Sequence, residues 1–328
     1  MVSIGYALSS EEHTALDLVE WARRAEAAGF SFALLSDHYH PWVDAQGQSP
    51  FAWATLGAIA TATERLQVGT GVTCPLIRMH PAIVAQAAAT VASMMPGRFF
   101  LGVGTGEQLN EHVTGEAWPV IDQRQAMLSE AIEVIRALWS GEPTSFAGDY
   151  YLVEDARIYS MPAEAPPIYV AASGPDSARL AGGCGDGLIS TAPATGVVRA
   201  FEEGGGSGPR LGQVTVCWAP SEADARETMR RVWPNSALPG NLSADLRRPE
   251  DFEAATSVLS EDQVVEHTPC GPDPDRHVEA IRRFIDAGFD HVYVHQIGPD
   301  QPGFFDFYQR EVLPRLDAAP ARLIGRAA

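Results

Sequence analysis

Four short segments of this chain carry, between them, proton-handling side chains and glycines that leave room for a ligand. Ser36-Asp37-His38-Tyr39-His40-Pro41-Trp42 brings together two imidazoles, a carboxylate and an indole. Gly69-Thr70-Gly71-Val72-Thr73-Cys74-Pro75, Gly104-Thr105-Gly106-Glu107-Gln108-Leu109-Asn110 and Ala172-Ser173-Gly174-Pro175 follow. Histidine titrates near neutrality, so His38 can take or give a proton; as residue types alone, His38 and His40 are equally two exposed loop histidines. A zinc site on the pair needs a third ligand, and none has suitable spacing, so no metal is expected. Glu107, preceded by small residues, can act as a general acid, or it is a first-turn helix acid. Gly102 to Gly106 misses the third glycine of the dinucleotide fingerprint, which argues against a nicotinamide Rossmann site. Ser173-Gly174-Pro175 can present amides to a phosphate or be a plain turn. Trp42 can wall a flat ring system or simply pack.

The elements that must position these segments alternate as short apolar runs and helical patterns, which signals βαβ units and a parallel sheet. Strands are expected over Ser3–Leu8, Phe30–Ser36, Leu66–Thr73, Arg98–Val103, Ile168–Ala172, Gly187–Thr191, Gln213–Ala219 and His291–His295. Helices are expected at His13–Ala28, with Leu16, Leu18, Val19, Ala22 and Ala25 inward, then Ala52–Thr63, Pro81–Ser93, Gln123–Trp139, His277–Ala287 and Phe304–Leu316. Ser9-Ser10-Glu11-Glu12 reads as the N-cap and first-turn acids of the first helix. Each chemistry-bearing segment then falls after a strand, where the active site of a (β/α)8 barrel lies. Residues 1–328 are read as one domain with insertions near 141–166, holding a small hairpin, and near 235–262, a lid.

Composition agrees. With 45% hydrophobic and 20% charged residues, the chain can bury a large core. A net charge of −19 repels nucleic acid and anionic membranes, so neither is an expected partner. The cysteines Cys74, Cys184, Cys217 and Cys270 are far apart, which suits reduced thiols. Neither a secretory signal nor an apolar membrane-length run is recognisable, so a cytoplasmic protein is expected.

Taken together, SDHYHPW, GTGVTCP, GVGTGEQLNEHVTGEAWP, LWSGEPTSFAGDYY, AASGP and GDGLIST make the chain resemble the luciferase-like oxidoreductases, and within them the F420-dependent glucose-6-phosphate dehydrogenase family. The resemblance implies a TIM barrel with insertions, a homodimer, and the deazaflavin coenzyme F420 as cofactor, with FMN as the alternative. It implies His38 as the base for the alcohol proton, Trp42 as the aromatic that stabilises the reacting state, and Glu107 and Glu11 as active-site acids. Asp37 falls near the deazaflavin ring. Thr70, Gly71 and Val72 lie where the family has a bulged, non-proline cis peptide behind the ring. Thr105, Gly106 and Asn110 match the cofactor loop, and Ser173 and Gly174 the phosphate-binding turn. Thr191, Ala194 and His267 fall on the substrate side.

One departure bears on the substrate. The sugar-phosphate enzymes hold phosphate with two lysines and an arginine, and the matching places are Ala194, the neighbourhood of Ser243, and His267. Each lost charge-assisted contact is worth about 1.5–3 kcal/mol, so glucose 6-phosphate is not expected as substrate; Arg247 or Arg248 could compensate. The expected activity is F420-dependent hydride transfer with a small alcohol, carbonyl or imine. An FMN-dependent monooxygenase, an F420H2-dependent biosynthetic reductase and a non-catalytic cofactor-binding protein are the competing readings.

Overall fold

The apolar runs close into a ring of eight parallel strands, in the order β1-β10-β9-β8-β7-β4-β3-β2. The computed structural model describes residues 2–238, 242–316 and 318–319. Residue 1, residues 239–241 of the expected second insertion, residue 317 and residues 320–328 lie outside the described residues. The first half runs β1 (Ser3–Leu8), α1 (Ala15–Ala28), β2 (Phe32–Leu35), α2 (Ala52–Ala62), β3 (Gln67–Thr70), α3 (Pro81–Met94) and β4 (Phe99–Val103). A short α4 (Gln108–Glu111) and a long α5 (Ile121–Leu138) follow. An antiparallel hairpin of β5 (Thr144–Ala147) and β6 (Leu152–Ala156) stands outside the barrel. The second half runs β7 (Ile168–Ala171), α6 (Pro175–Cys184), β8 (Gly187–Ser190), α7 (Thr195–Glu203), β9 (Arg210–Val216) and α8 (Glu222–Val232). Three short helices, α9 (Leu242–Asp245), α10 (Pro249–Thr256) and α11 (Glu261–Val265), precede α12 (Pro274–Asp286), β10 (His291–Gln296) and α13 (Gln301–Phe307). This is the expected (β/α)8 TIM barrel. The hairpin β5–β6 falls within 141–166, and the helices α9 and α10 fall within the described part of 235–262.

Two packing layers hold the ring. Helices cover its outside, and a smaller apolar layer of Phe32, Leu34, Phe100, Tyr169, Leu211 and Tyr293 fills its interior. Side chains alternate between the two along each strand, as a strand period of two requires. Among the described residues no helix is long and apolar enough to cross a membrane.

Four expectations about elements are corrected. The first helix begins at Ala15, because Thr14 and Asp17 form a reciprocal capping box; Ser9 to Glu12 do not cap it. Leu16 is 82% exposed rather than inward. It lies two residues from the buried Leu18, about 200° around the helix. The third strand ends at Thr70; the Gly71–Val72 peptide beyond it is cis, and Thr73 rejoins β4 as an isolated bridge to Val103. The last helix does not run unbroken to Leu316: α13 gives way to a wider π turn over Tyr308–Val312 and a 3-10 turn over Leu313–Arg315. Pro314, with no N–H to donate, cannot extend the α-helical ladder.

Phe100 is fully buried at the centre of the interior layer, against Tyr169 at 5.3 Å between ring centroids. Phe100→Ala is expected to destabilise the fold by about 3–5 kcal/mol, read as the shift in urea midpoint. A shift of less than about 1 kcal/mol would refute this account of the barrel interior.

Candidate active site

The C-terminal ends of the strands open into one cleft of about 1460 Å³. Its floor is the interior apolar layer, reached at Leu34, Val72, Ala171, Ile189 and Tyr293. The loop after β1 supplies Glu11, whose side chain is buried. Ser36 Oγ donates to Glu11 Oε2 at 2.6 Å and Ser9 Oγ at 3.1 Å. Burial alone would raise this carboxyl, but the neighbouring His38 and the Ser36 hydrogen bond outweigh it and hold Glu11 below the usual carboxylate range. His38 Nε2 lies 3.4 Å from Glu11 Oε1.

On its other side, His38 Nδ1 is 3.2 Å from the His40 carbonyl and 3.2 Å from Asn110 Nδ2. Asn110 clamps the loop after β2: its Oδ1 accepts from the Tyr39 and His40 amides at 2.9 and 3.3 Å. Its Nδ2 also reaches Glu107 Oε2 at 3.4 Å. Glu11, His38, Asn110 and Glu107 thus stand in sequence, each within 3.4 Å of the next, on the ends of β1, β2 and β4. Trp42 packs on His38, with centroids 4.9 Å apart, and edge-on to Phe252 of α10.

Beneath that loop, Arg78 ties it to the barrel. It donates to Asp37 Oδ1 at 2.9 Å, while its amide donates to Glu111 Oε2 at 2.7 Å. Asp37 Oδ2 accepts from Thr73 Oγ1 at 2.7 Å. Burial pushes the Glu111 carboxyl up. Thr70 Oγ1 donates to the Gly102 carbonyl at 2.6 Å, closing β3 onto β4. Gly106 has φ +72°, and a Cβ there would meet Cys74 Sγ at 2.5 Å, so only glycine fits this turn.

Of the residues singled out from sequence, Glu11, His38, Trp42, Gly71, Val72, Thr105, Gly106, Glu107, Ser173, Gly174, Thr191 and His267 line the cleft. Asp37, Thr70 and Asn110 are buried behind it. Ala194 caps α7 just past the lining segment Thr191–Pro193. Arg247 and Arg248 are exposed, and Arg248 pairs with Asp251 at 2.8 Å. Sequence reasoning missed Arg124, Trp118, Trp233 and His295, all of which line the cleft. His295 is the penultimate residue of the last barrel strand, so the strand-end rule that found His38 also reaches it. Arg124 carries no such signal: it sits in the first turn of an amphipathic helix. Among the described residues no group of three His, Cys, Asp or Glu side chains is arranged to hold a metal ion.

Because Glu11 is held below its ordinary value in the folded state, its contribution to stability is fully present above the unfolded carboxyl value and is lost as pH falls through the lower folded one. The stability gap between the native chain and Glu11→Gln is expected to narrow as urea titrations move from pH 7 toward pH 3. A gap that does not change with pH would contradict the charged state assigned to this side chain.

Comparison with known proteins fits this geometry. Residues 2–291 match the family described as luciferase-like monooxygenase. The chain is 38% identical over 331 residues to the F420-dependent glucose-6-phosphate dehydrogenase of Beutenbergia cavernae, covering 97% of this chain and 98% of that one. It is 39% identical over 329 residues to the enzyme of that name from Nakamurella multipartita, covering 97% of each. A solved F420-dependent secondary alcohol dehydrogenase, in complex with an F420–acetone adduct, superposes with a TM-score of 0.89 at 34% identity, covering 96% of this chain and 99% of that one. The F420-dependent tetrahydromethanopterin reductase of Methanopyrus kandleri, at 22% identity and a TM-score of 0.77, shares the fold over 96% of this chain and 99% of its own. The chain belongs to the luciferase-like family, in the branch that contains the F420-dependent glucose-6-phosphate dehydrogenases.

Proposed function

We propose that this chain is an F420-dependent oxidoreductase acting on an uncharged alcohol, or on the corresponding carbonyl or imine in reverse. The observation that carries the reading is the Glu11–His38–Asn110–Glu107 line standing over an apolar floor. The residues present fit a flat, anionic cofactor. The small residues Gly104 to Gly106 leave room above the floor at Val72, where a Cβ on Gly104 would meet Val72 Cγ2 at 2.8 Å. The first turn of α6, capped by Gly174, opens onto the cleft at Ser173–Ser177, where backbone amides favour an anion. Arg124 keeps a buried Nε without a hydrogen-bond partner on the same side.

F420, when bound, supplies the acceptor or donor of hydride. The protein handles the proton. With hydrogen on Nδ1 donated to the His40 carbonyl, His38 Nε2 takes the proton of the alcohol. Glu11, 3.4 Å away, meets the charge that then forms on the ring. Asn110 and the Arg78–Asp37 pair act as positioning residues, and Trp42 keeps the imidazole from turning. Glu107 presents its carboxyl for a hydrogen bond to the cofactor ring.

Among the described residues, the places that match the family's phosphate-holding cations carry no lysine or arginine. Ala194, Ser243 and His267 stand at the matching places, and Arg283, also in the cleft, is 60% exposed and pairs with Glu279 at 2.7 Å. A phosphorylated sugar is therefore a poor substrate here. The same reading extends to a single 1–328 unit working as a cytoplasmic homodimer on a small molecule, which rests on the full-length family likeness.

Titrating the protein with F420 and with FMN, followed by fluorescence, tests the cofactor: saturable F420 binding is expected, and tight FMN binding without F420 binding would overturn the reading. His38→Ala is expected to lose turnover by about 10²–10⁴-fold while keeping F420 affinity within about threefold; unchanged turnover would remove His38 from the role of base.

A further inference from the structure

His38, His267 and His295 line the cleft. His295 lies on β10 and is 4% exposed. Because β1 stands between β10 and β2 in the ring, His295 and His38 flank the Ser9–Glu12 loop from opposite sides. The two adjacent carboxylates of that loop divide between them. Glu11 faces His38, while Glu12 Oε2 lies 3.6 Å from His295 Nε2. Both side chains of this second pair are buried, at 5% and 4% exposure. Glu12 is fixed through Oε1, which accepts from the Gly298 amide at 2.9 Å. His295 is fixed by Trp233, edge to face at 4.5 Å, and its Nδ1 lies 3.5 Å from Gln213 Nε2.

The pair retains hydrogen-bonding capacity that the fold does not use. Glu12 Oε2 and His295 Nε2 face each other at 3.6 Å, beyond hydrogen-bond length, and neither has another hydrogen-bond partner. Buried polar groups are almost always satisfied, and an exception calls for an explanation. His277 shows how a packing histidine looks in this same protein: its Nδ1 meets the Tyr308 hydroxyl and its Nε2 the Gly271 carbonyl, each at 3.0 Å. His13 and His291 also keep an unpartnered Nε2, but they do not line the cleft.

We infer that His295, steadied by Glu12, binds a substrate oxygen other than the one that reacts at His38; this rests on the function proposed above. The imidazole N–H donates to a hydroxyl or carbonyl oxygen, and the free Glu12 oxygen orients the ring. The substrate class is then an uncharged compound with two oxygen functions, such as a diol, a hydroxyketone or an unphosphorylated sugar. A phosphate at this place would face the Glu12 carboxylate and be repelled.

The test uses F420-loaded protein carrying His38→Ala, which keeps the cofactor without oxidising the probes, with propan-2-ol and propane-1,2-diol, each binding followed by the change in deazaflavin fluorescence. With Glu12 and His295 intact, the protein is expected to bind the diol about 3- to 10-fold more tightly, the span of one net neutral hydrogen bond. That ratio falls to near one in His295→Leu and Glu12→Gln and partly returns in His295→Gln, which keeps a donor. Retained F420 binding by each variant verifies its fold. Loss of F420 binding by the native protein would strike the cofactor assignment. F420 binding with no diol preference, with no diol binding, or with a preference that survives His295→Leu overturns the role of His295.

Discussion

Glu11 is a carboxylate buried at the mouth of a closed barrel, and an ionised group in that position must be answered by donors from neighbouring chain segments. Ser9 comes from its own loop, while Ser36 and His38 come from the loop after β2. Meeting that one charge therefore fixes the separation of the two strand ends and the direction of the His38 ring. Ring closure makes this possible. In an open sheet β1 would be an edge strand; here it has β10 on one side and β2 on the other, with Tyr6 level with Val294 and Ala33.

The rest of the first half elaborates the same constraint. A loop that carries a histidine must not swing, and the structure holds it from above and below. Asn110 takes two of its amides; Arg78 grips Asp37 under it while itself facing Glu111. A guanidinium between two buried carboxylates is held by both: burial disfavours its charge, but Asp37 more than offsets that. The glycines work on the other face, keeping the floor low where side chains would intrude.

Much of this was legible in the residues. Alternating strands and helices gave the barrel, and the strand-end rule pointed at His38, Trp42 and Glu107 before any contact was known. What was hidden is what depends on long-range pairing. Arg78 and Asp37 meet across 41 residues, a relation with no period to read. Ser9 to Glu12 look like a helix start, and local chemistry favours that reading; Thr14 and Asp17 form a better cap, and Ser9 and Glu11 line the cleft instead. Leu16 was misplaced because counting apolar residues ignored the angle between them. His295 was passed over although it obeys the rule that found His38, because the final strand was read for its apolar core and not for its end.

The cleft's walls come from different stretches of chain. Glu11, His38, the cis peptide and Glu107 all lie before residue 111, whereas Thr191, Trp233, Ser243, His267 and His295 lie after residue 190. The barrel's shared floor joins the two sets, with side contacts at Trp42–Phe252 and Glu12–His295. Such a layout lets inheritance act on them separately: drift or recombination in the later segment can rewrite what is recognised, while the earlier segment keeps the redox chemistry intact.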